Sequence, residues 1–372
     1  MADSQNRAPL ADGSMTFLRL CEQLFQQFFQ QFFHPLFRQF FRQLSEAGTG
    51  MIDNLFTMFP GQGSQRAGMA GHLLREHPRT AGRVLARAED ATGLPLTALC
   101  STAPEEELAP TEIAQPAIVA TSLAVLQILR EEAGFVPAVV AGHSLGEYPA
   151  LVAAGVLEAD QALRLVRRRG ELMAGVSRRA GGAMTAVLGL GAARIEEICA
   201  DCAPLGVVEI ANYNEPGQSV ISGQRPAVEE AARRALAAGA ERAVALKVSA
   251  PFHCSLMRAI EDEFAAELER VRFSAPRLPV ISSVTGTLVR DGGHARDLLR
   301  RQLAGPVRWV DVLGAVAAHP VGGCLEVGPG RVLSGFANRT GVHSVVRSTH
   351  DARRISALLR ELGQEPAPGA AA

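Results

Sequence analysis

The segment Gly142-His143-Ser144-Leu145-Gly146 carries the spacing G-x-S-x-G. Its chemistry would be that of a serine nucleophile on a sharp strand-to-helix turn. The two glycines allow the turn and leave Ser144 Oγ in the open. The N-terminus of the following helix would bring the Leu145 N–H close to the reacting oxygen. The pattern by itself is weak in a chain with 36 Gly among 372 residues. Its context, a strand before and a helix after, is what the nucleophile reading demands; the competing reading is a helix N-cap serine. A serine nucleophile needs a base. Of the nine His, His253 lies in Ser249-Ala-Pro-Phe-His-Cys-Ser-Leu-Met257, after a strand and a Pro-Phe turn, where a loop residue can face a cleft. Its bland alternative is a satisfied structural histidine. His34 in the N-terminal extension, His72 and His77 on a surface-like helix and His294 in a Gly-rich loop are poorer candidates.

The elements that must position these residues follow from periodicity. Leu55-Phe59 reads as a short apolar strand ending in Pro60-Gly61-Gln62-Gly63-Ser64-Gln65. Helical periodicity covers about 68–92, 116–134, 147–154 and, with many basic residues, 160–176. Ala138-Val139-Val140-Ala141 is a buried strand running into Gly142. The pattern then changes: strand Ala183-Leu190, helix 192–203, strands Val207-Asn212 and Gln218-Ser222, helix 225–238, strand Arg242-Val248. That βαββαβ order is ferredoxin-like. It interrupts a larger α/β pattern, which resumes at Leu278-Ser283 and Gly323-Val327. The expected organisation is therefore an α/β domain from 54–180 and 249–350, with a ferredoxin-like insert over 181–248 and a loose Pro/Ala-rich tail over 364–372.

Composition narrows the function classes. Thirty-seven Lys+Arg against 38 Asp+Glu leave a formal charge of −1, which argues against a nucleic-acid groove or a polybasic membrane anchor. One Trp and two Tyr supply no base-stacking surface. The six Cys are scattered. The pair Cys199-Ala-Asp-Cys202 has no second CxxC or His pair to complete a zinc site, so it reads as two helix positions one turn apart and no metal is expected. A disulfide scaffold is not expected at this length, and the chain reads as cytoplasmic. Nine of the 16 Phe fall between Phe17 and Phe41. There, apolar pairs recur about every four residues between Gln, Arg and His, the pattern of an amphipathic helix. It is too polar to span a bilayer, and no transmembrane segment is expected. Residues 1–50 thus read either as a docking or membrane-surface helix, or as an appendage outside the chemistry, with Met51 as an alternative start.

Seven motifs in one order carry a family resemblance: Phe59-Pro-Gly-Gln-Gly-Ser-Gln65, Gln115-Pro116, Gly142-His-Ser-Leu-Gly-Glu-Tyr148, Arg169-Gly170, Phe252-His253, Pro306-Val-Arg-Trp309 and Glu326-Val-Gly-Pro-Gly330. From about residue 55 to 345 the chain resembles the malonyl-CoA:acyl carrier protein transacylases and the acyltransferase domains of polyketide and fatty acid synthases. The first fifty residues have no counterpart there. The resemblance implies an α/β-hydrolase-like large domain with the small insert. It implies Ser144 as nucleophile, His253 as base without a third carboxylate, and the Gln302 backbone carbonyl as the group orienting the imidazole. The oxyanion hole would be the N–H groups of Gln62 and Leu145. Arg169, in Arg169-Gly-Glu-Leu-Met173, would pair with a malonyl carboxylate; by position alone it reads as part of a solvated basic face with Arg164, Arg167 and Arg168. Gln115 and Phe252 would line the substrate, and the bulk of Phe252 suits malonyl over a 2-methyl analogue. Ala250-Pro251 departs from the usual synthase-domain form of this motif, which keeps larger extenders open. Malonyl-CoA and an acyl carrier protein are the implied partners, with no cofactor beyond the coenzyme A thioester. The implied activity is malonyl transfer through an acyl-serine, in fatty acid or polyketide synthesis. The runner-up is a hydrolase that clears stalled acyl groups from carrier proteins; Arg169 argues against it, since such an enzyme should prefer uncharged acyl chains.

Overall fold

The computed structural model describes residues 54–248 and 250–363. The expectations for the N-terminal extension 1–50, including docking through its helix, and for the tail 364–372 lie outside the described residues. Ten strands are found among those described: β1 (Leu55–Phe59), β2 (Val139–Gly142), β3 (Gly182–Leu188), β4 (Val208–Glu215), β5 (Gln218–Gln224), β6 (Arg242–Ala245), β7 (Val280–Ile281), β8 (Val307–Arg308), β9 (Gly323–Glu326) and β10 (Val346–Ser348). They form two sheets, ordered β10-β9-β1-β2-β7 and β6-β3-β5-β4-β8.

The first sheet is parallel throughout. Every residue of β1 is buried, as a parallel strand covered on both faces requires. Its alternation survives in what each face meets. Leu55 and Phe59 join the main apolar cluster, while Phe56 and Met58 join a second one with Val139, Ala141, Ile281 and Trp309. The helix Thr111–Ala133 forms much of the main cluster. It is long and apolar enough to cross a membrane, yet 83% of its most apolar stretch is buried inside the protein. It starts five residues before the expected position, with Pro116 inside it. That proline cannot donate to the Glu112 carbonyl one turn back; Arg167 Nη1 does so instead, at 2.8 Å. The helix expected over 68–92 is two, Gly71–Glu76 and Pro78–Thr92. Proline at the first helical position starts the second one and cannot continue the first. His294, expected in a loop, lies in the helix Gly292–Arg301, where Asp291 accepts its N–H at 2.8 Å.

In the second sheet β3 pairs antiparallel with β5 and β6, and β5 pairs antiparallel with β4. The helices Ala192–Cys202 and Arg225–Ala237 cover it through Val187, Ile198, Ile210, Ile221 and Val228. Cys199 and Cys202 sit on the first of these helices, buried and unpaired. Two corrections concern this sheet. Strand β4 runs three residues past the expected Asn212, with irregular register between Ile210 and Asn212 and between Tyr213 and Glu215. A bulge re-aims side chains near a site, and Asn212 and Asn214 lie there. In addition, β8 from Pro306-Val-Arg-Trp309 pairs parallel with β4, so the later chain is stitched to the second sheet by backbone hydrogen bonds.

Strands β1 and β2 run side by side with Phe59 opposite Gly142. The loops after them therefore leave the sheet at one place, the carboxyl end where open α/β sheets form their crevice. The turn after β2 is tight: His143 N donates to Phe59 O at 3.0 Å and Gly146 N to His143 O at 3.0 Å. A Cβ on Gly142 would lie 1.9 Å from Gly146 C, and one on Gly146 would lie 2.0 Å from Phe59 O. The crossing of turn and strand thus has room for hydrogen alone. Gly146→Ala should cost on the order of 3 kcal/mol or more of stability, because backbone must move to relieve the clash. Denaturant unfolding of the two proteins checks this; equal midpoints and slopes would show that the turn can yield.

Candidate active site

Among the described residues, Ser144 (φ 51°) and His253 (φ 59°) are the only non-glycine residues with positive φ. Side chains rarely adopt this conformation, and it tends to be held where function needs it. Here the two strained residues face each other: Ser144 Oγ lies 2.6 Å from His253 Nε2. His253 Nδ1 is 2.9 Å from the Gln302 carbonyl and 3.2 Å from that of Gly305. Carbonyls only accept, so Nδ1 carries the proton and Nε2 is left to accept from the serine hydroxyl. Among the described residues no carboxylate orients the imidazole.

Arg169 closes the other side of Ser144. It projects from the helix Ala159–Ala180 and is 2% exposed. Nη1 donates to Gln115 Oε1 at 2.8 Å, and Nη2 to Ser144 Oγ and Gln302 Oε1, both at 3.1 Å. None of these acceptors is charged. Its Nε is buried without a partner, and its guanidinium carbon lies 5.9 Å from the centre of the Tyr148 ring. An interior cation normally has a counter-charge, since an uncompensated one is costly. This one has a spare donor beside a serine hydroxyl, an arrangement able to receive an anionic group.

Burial lowers the pKa of His253 from 6.5 to about 3, with the Arg169 charge adding to it. The imidazole therefore stays neutral and able to accept a proton. Burial likewise raises the Glu147 carboxyl, against hydrogen bonds from Ser282, Ser283 and Gln302. His143, the second residue of the turn, is half-buried, 2.9 Å from Asn214 Oδ1 and 5.6 Å from the Trp309 ring.

Ser144, His253, Arg169, Gln115 and Gln302 thus form one hydrogen-bonded cluster. Gln62 sits in the loop after β1, its side chain donating to Thr111 Oγ1 at 3.0 Å, and Gly61 beside it would clash with His143 O if it carried a Cβ. Leu145 is buried in the first turn after Ser144, where helical N–H groups lack acceptors within the helix. Phe252 packs in the main apolar cluster and has no polar link to the others. Sequence reasoning missed Glu147, Ser282, Ser283 and Asn214. The signal for Glu147 was a charged residue opening the otherwise apolar helix Glu147–Ala153. Glu326, the head of a quoted motif, is structural: its carboxylate accepts from Leu333 N, Ser334 N and Ser334 Oγ and so caps the helix Val332–Thr340.

Residues 56–364 match the family described as acyl transferase domain. The chain is 41% identical over 304 residues to a malonyl CoA-acyl carrier protein transacylase of Salmonella typhimurium, covering 82% of this chain and 98% of that protein. With one from Bacillus subtilis the identity is 37% over 309 residues, covering 83% and 97%. Among solved structures, a malonyl-transacylase in complex with its type II PKS acyl-carrier protein is 40% identical with a TM-score of 0.80, covering 83% of this chain and 99% of that one. A malonyl-CoA:acyl carrier protein transacylase of Xanthomonas oryzae is 38% identical with a TM-score of 0.80, covering 84% and 99%.

The depressed His253 pKa sets the pH behaviour of Ser144 whatever it acylates. Protonation stops the imidazole acting as base, and that protonation occurs near pH 3 rather than 6.5. The labelling rate of Ser144 by a sulfonyl fluoride should therefore stay flat from neutral pH down to about 5. Arg169→Ala removes a neighbouring cation and admits water; both raise the His253 pKa, so an acid limb should move up into this window. A wild-type limb centred near 6.5 would refute the assignment. The same shift works against folding: stability drops as the pH falls through 6.5, where the unfolded chain gains a proton that the folded one refuses.

Proposed function

The chain belongs to the acyl transferase domain family, and from that premise we propose that it moves a malonyl group from malonyl-CoA to the phosphopantetheine thiol of an acyl carrier protein, for fatty acid or polyketide synthesis. The observation that carries this reading is Arg169, a buried cation without a counter-charge whose Nη2 lies 3.1 Å from Ser144 Oγ. The malonyl carboxylate would take its free donors and displace the contact to the serine. An uncharged acyl group would leave the cation unpaired, which disfavours acyl hydrolysis as the main activity.

In this reading His253 Nε2 takes the Ser144 proton as Oγ attacks the thioester carbonyl. The Gln302 carbonyl holds the Nδ1–H and so supports the imidazolium that forms. The N–H groups of Gln62 and Leu145 receive the developing oxyanion. Collapse expels coenzyme A, protonated by His253, and leaves malonyl esterified to Ser144. The carrier-protein thiol then gives its proton to His253 and attacks the ester; the C–Oγ bond breaks, His253 returns that proton to Ser144 Oγ, and the malonyl thioester departs. No cofactor is required beyond the coenzyme A thioester itself. Phe252 and Gln115 bound the acyl pocket; an aromatic in the space of a 2-methyl group discriminates by about 1–3 kcal/mol.

The architecture proposed with this activity is an α/β-hydrolase-like domain over 54–180 and 249–350 with a ferredoxin-like subdomain inserted at 181–248. The strand order β6-β3-β5-β4 and its antiparallel pairing support it. A cytoplasmic setting fits the five buried, unpaired cysteines among the described residues.

Brief exposure to malonyl-CoA should add one malonyl mass at Ser144, and Ser144→Ala should abolish it. His253→Ala should slow loading by about 10²- to 10⁴-fold. Arg169→Ala should cost malonyl transfer about 2–5 kcal/mol, roughly 30- to 4000-fold in kcat/KM. Acetyl-CoA never used that pair, so its rate should hold or rise and the malonyl preference should collapse. Mass spectrometry and kcat/KM for both thioesters read these outcomes. Loading that survives Ser144→Ala, or an equal loss for the two substrates in Arg169→Ala, would overturn the reading.

A further inference from the structure

Gln302 does two things with two parts of itself. Its backbone carbonyl accepts from His253 Nδ1, and its side-chain Oε1 accepts from Arg169 Nη2. The base and the buried cation therefore hang on the same residue. What fixes that residue is its Nε2, which donates to Ser144 O at 3.1 Å and to Glu147 Oε2 at 2.8 Å. An amide group can be turned over, exchanging its N and O. In the turned state Oε1 would face the Glu147 carboxylate and Nε2 would face Arg169, repulsive on both sides. Glu147 thus holds the Gln302 amide in the orientation that Ser144 O and Arg169 also favour.

Glu147 is itself held. It is 1% exposed, with Ser282 Oγ donating to Oε1 at 2.6 Å and Ser283 Oγ donating to Oε2 at 2.8 Å. The two serines follow β7 directly, so their backbone is anchored in the sheet. Every contact of the carboxylate is a donor, and none is basic. A carboxylate buried in this way is costly unless its bonds have a purpose in the site. Its side-chain partners are Ser282, Ser283 and Gln302, and of these Gln302 is the one that touches both His253 and Arg169.

We infer that Glu147 is a positioning residue: by holding the Gln302 amide in one orientation it sets both the Gln302 carbonyl against His253 and the Gln302 side-chain oxygen against Arg169. It couples the base to the group that reads the acyl chain. The inference rests on the acyl-transfer reading only for the identity of the acyl group; the arm through His253 stands on geometry alone.

Two conservative variants separate reach from charge. Glu147→Gln keeps the length: its amide oxygen can accept from Gln302 and Ser283, and its amide N–H can donate to Ser282 Oγ. Glu147→Asp keeps the charge and draws the carboxylate back by one methylene, out of reach of Gln302. Both are purified as folded protein, and rates are expressed per reactive serine, so a loss of folded enzyme alone does not register. The first readout is Ser144 labelling by phenylmethanesulfonyl fluoride, which needs His253 but no malonyl group. Positioning predicts Glu147→Gln within about threefold of wild type, and Glu147→Asp slower by about 10- to 100-fold, the scale of a small misplacement of a catalytic group. The second readout is the malonyl/acetyl ratio of kcat/KM, which should fall in Glu147→Asp and hold in Glu147→Gln. Wild-type rates and ratio in Glu147→Asp, or a Glu147→Gln variant as slow as Glu147→Asp, would overturn the inference, since the charge or the packing alone would then account for the residue. A wild-type chain that refuses malonyl would defeat the proposed function, and the sulfonyl fluoride comparison would still decide the role of Glu147.

Discussion

A guanidinium charge buried without a carboxylate in contact is the constraint from which the rest of the site follows. Arg169 has been taken out of water, and its contacts are amide and hydroxyl oxygens. Partial charges can hold such a cation but do not neutralise it. Gln115 is fully buried beneath it, the Tyr148 ring lies against it, and Glu147 acts on it only at one remove, across Gln302. The same charge acts on His253, second only to burial in lowering its pKa. One cation thus leaves donor capacity free beside Ser144 and adds to the burial that lowers the His253 pKa.

Holding these groups at hydrogen-bonding distance requires backbone that ordinary residues avoid. Ser144 and His253 both sit at positive φ, a strain of about 1–3 kcal/mol each that the surrounding fold must over-determine. At Ser144 the determinants are visible. The turn is pinned to β1 through His143 N and Phe59 O, and Gly142 and Gly146 cross backbone with no room for a methyl group. At His253 the ring is fixed by the Gln302 and Gly305 carbonyls, at the end of the helix Gly292–Arg301 and just beyond it. The nucleophile and its base therefore come from different parts of the chain, brought together by the sheet and by a helix that sequence reading had not placed.

The two sheets are joined at the same region. Strand β8 extends the second sheet by pairing with β4 at Asn212 and Tyr213, and Asn214 of that strand reaches His143 beside the nucleophile. Trp309, which follows β8 directly, packs against the same imidazole. The motif residues Pro306-Val-Arg-Trp309 thus serve as a seam rather than as reacting groups. An apolar ring and an amide both contact His143, in the turn from which Ser144 projects.

Sequence by itself determined the elements whose periodicity is dictated by burial. The all-buried β1 and the apolar run into Gly142 could only be covered strands, and the alternation from 183 to 245 matched the βαββαβ order found. The G-x-S-x-G spacing and the Pro-Phe turn pointed to Ser144 and His253 by themselves, whereas Arg169, Gln115 and Gln302 were singled out only through the family resemblance of their motifs. Tertiary structure decided the rest. The helix start at Pro78 was set by a proline at the first helical position, and the helix from Thr111 can hold Pro116 because Glu112 O finds another donor in Arg167. The pairing of β4 with β8 joins residues almost a hundred apart, a contact with no local signature. That Arg169 is buried and uncompensated, rather than one more solvated arginine on a basic helix, is a property of its surroundings alone. The same holds for Glu147, Ser282, Ser283 and Gln302, whose side chains meet across 135 to 155 residues of chain. Hydrogen-bond networks are closed by geometry, and a linear pattern records only the residue types from which they are built.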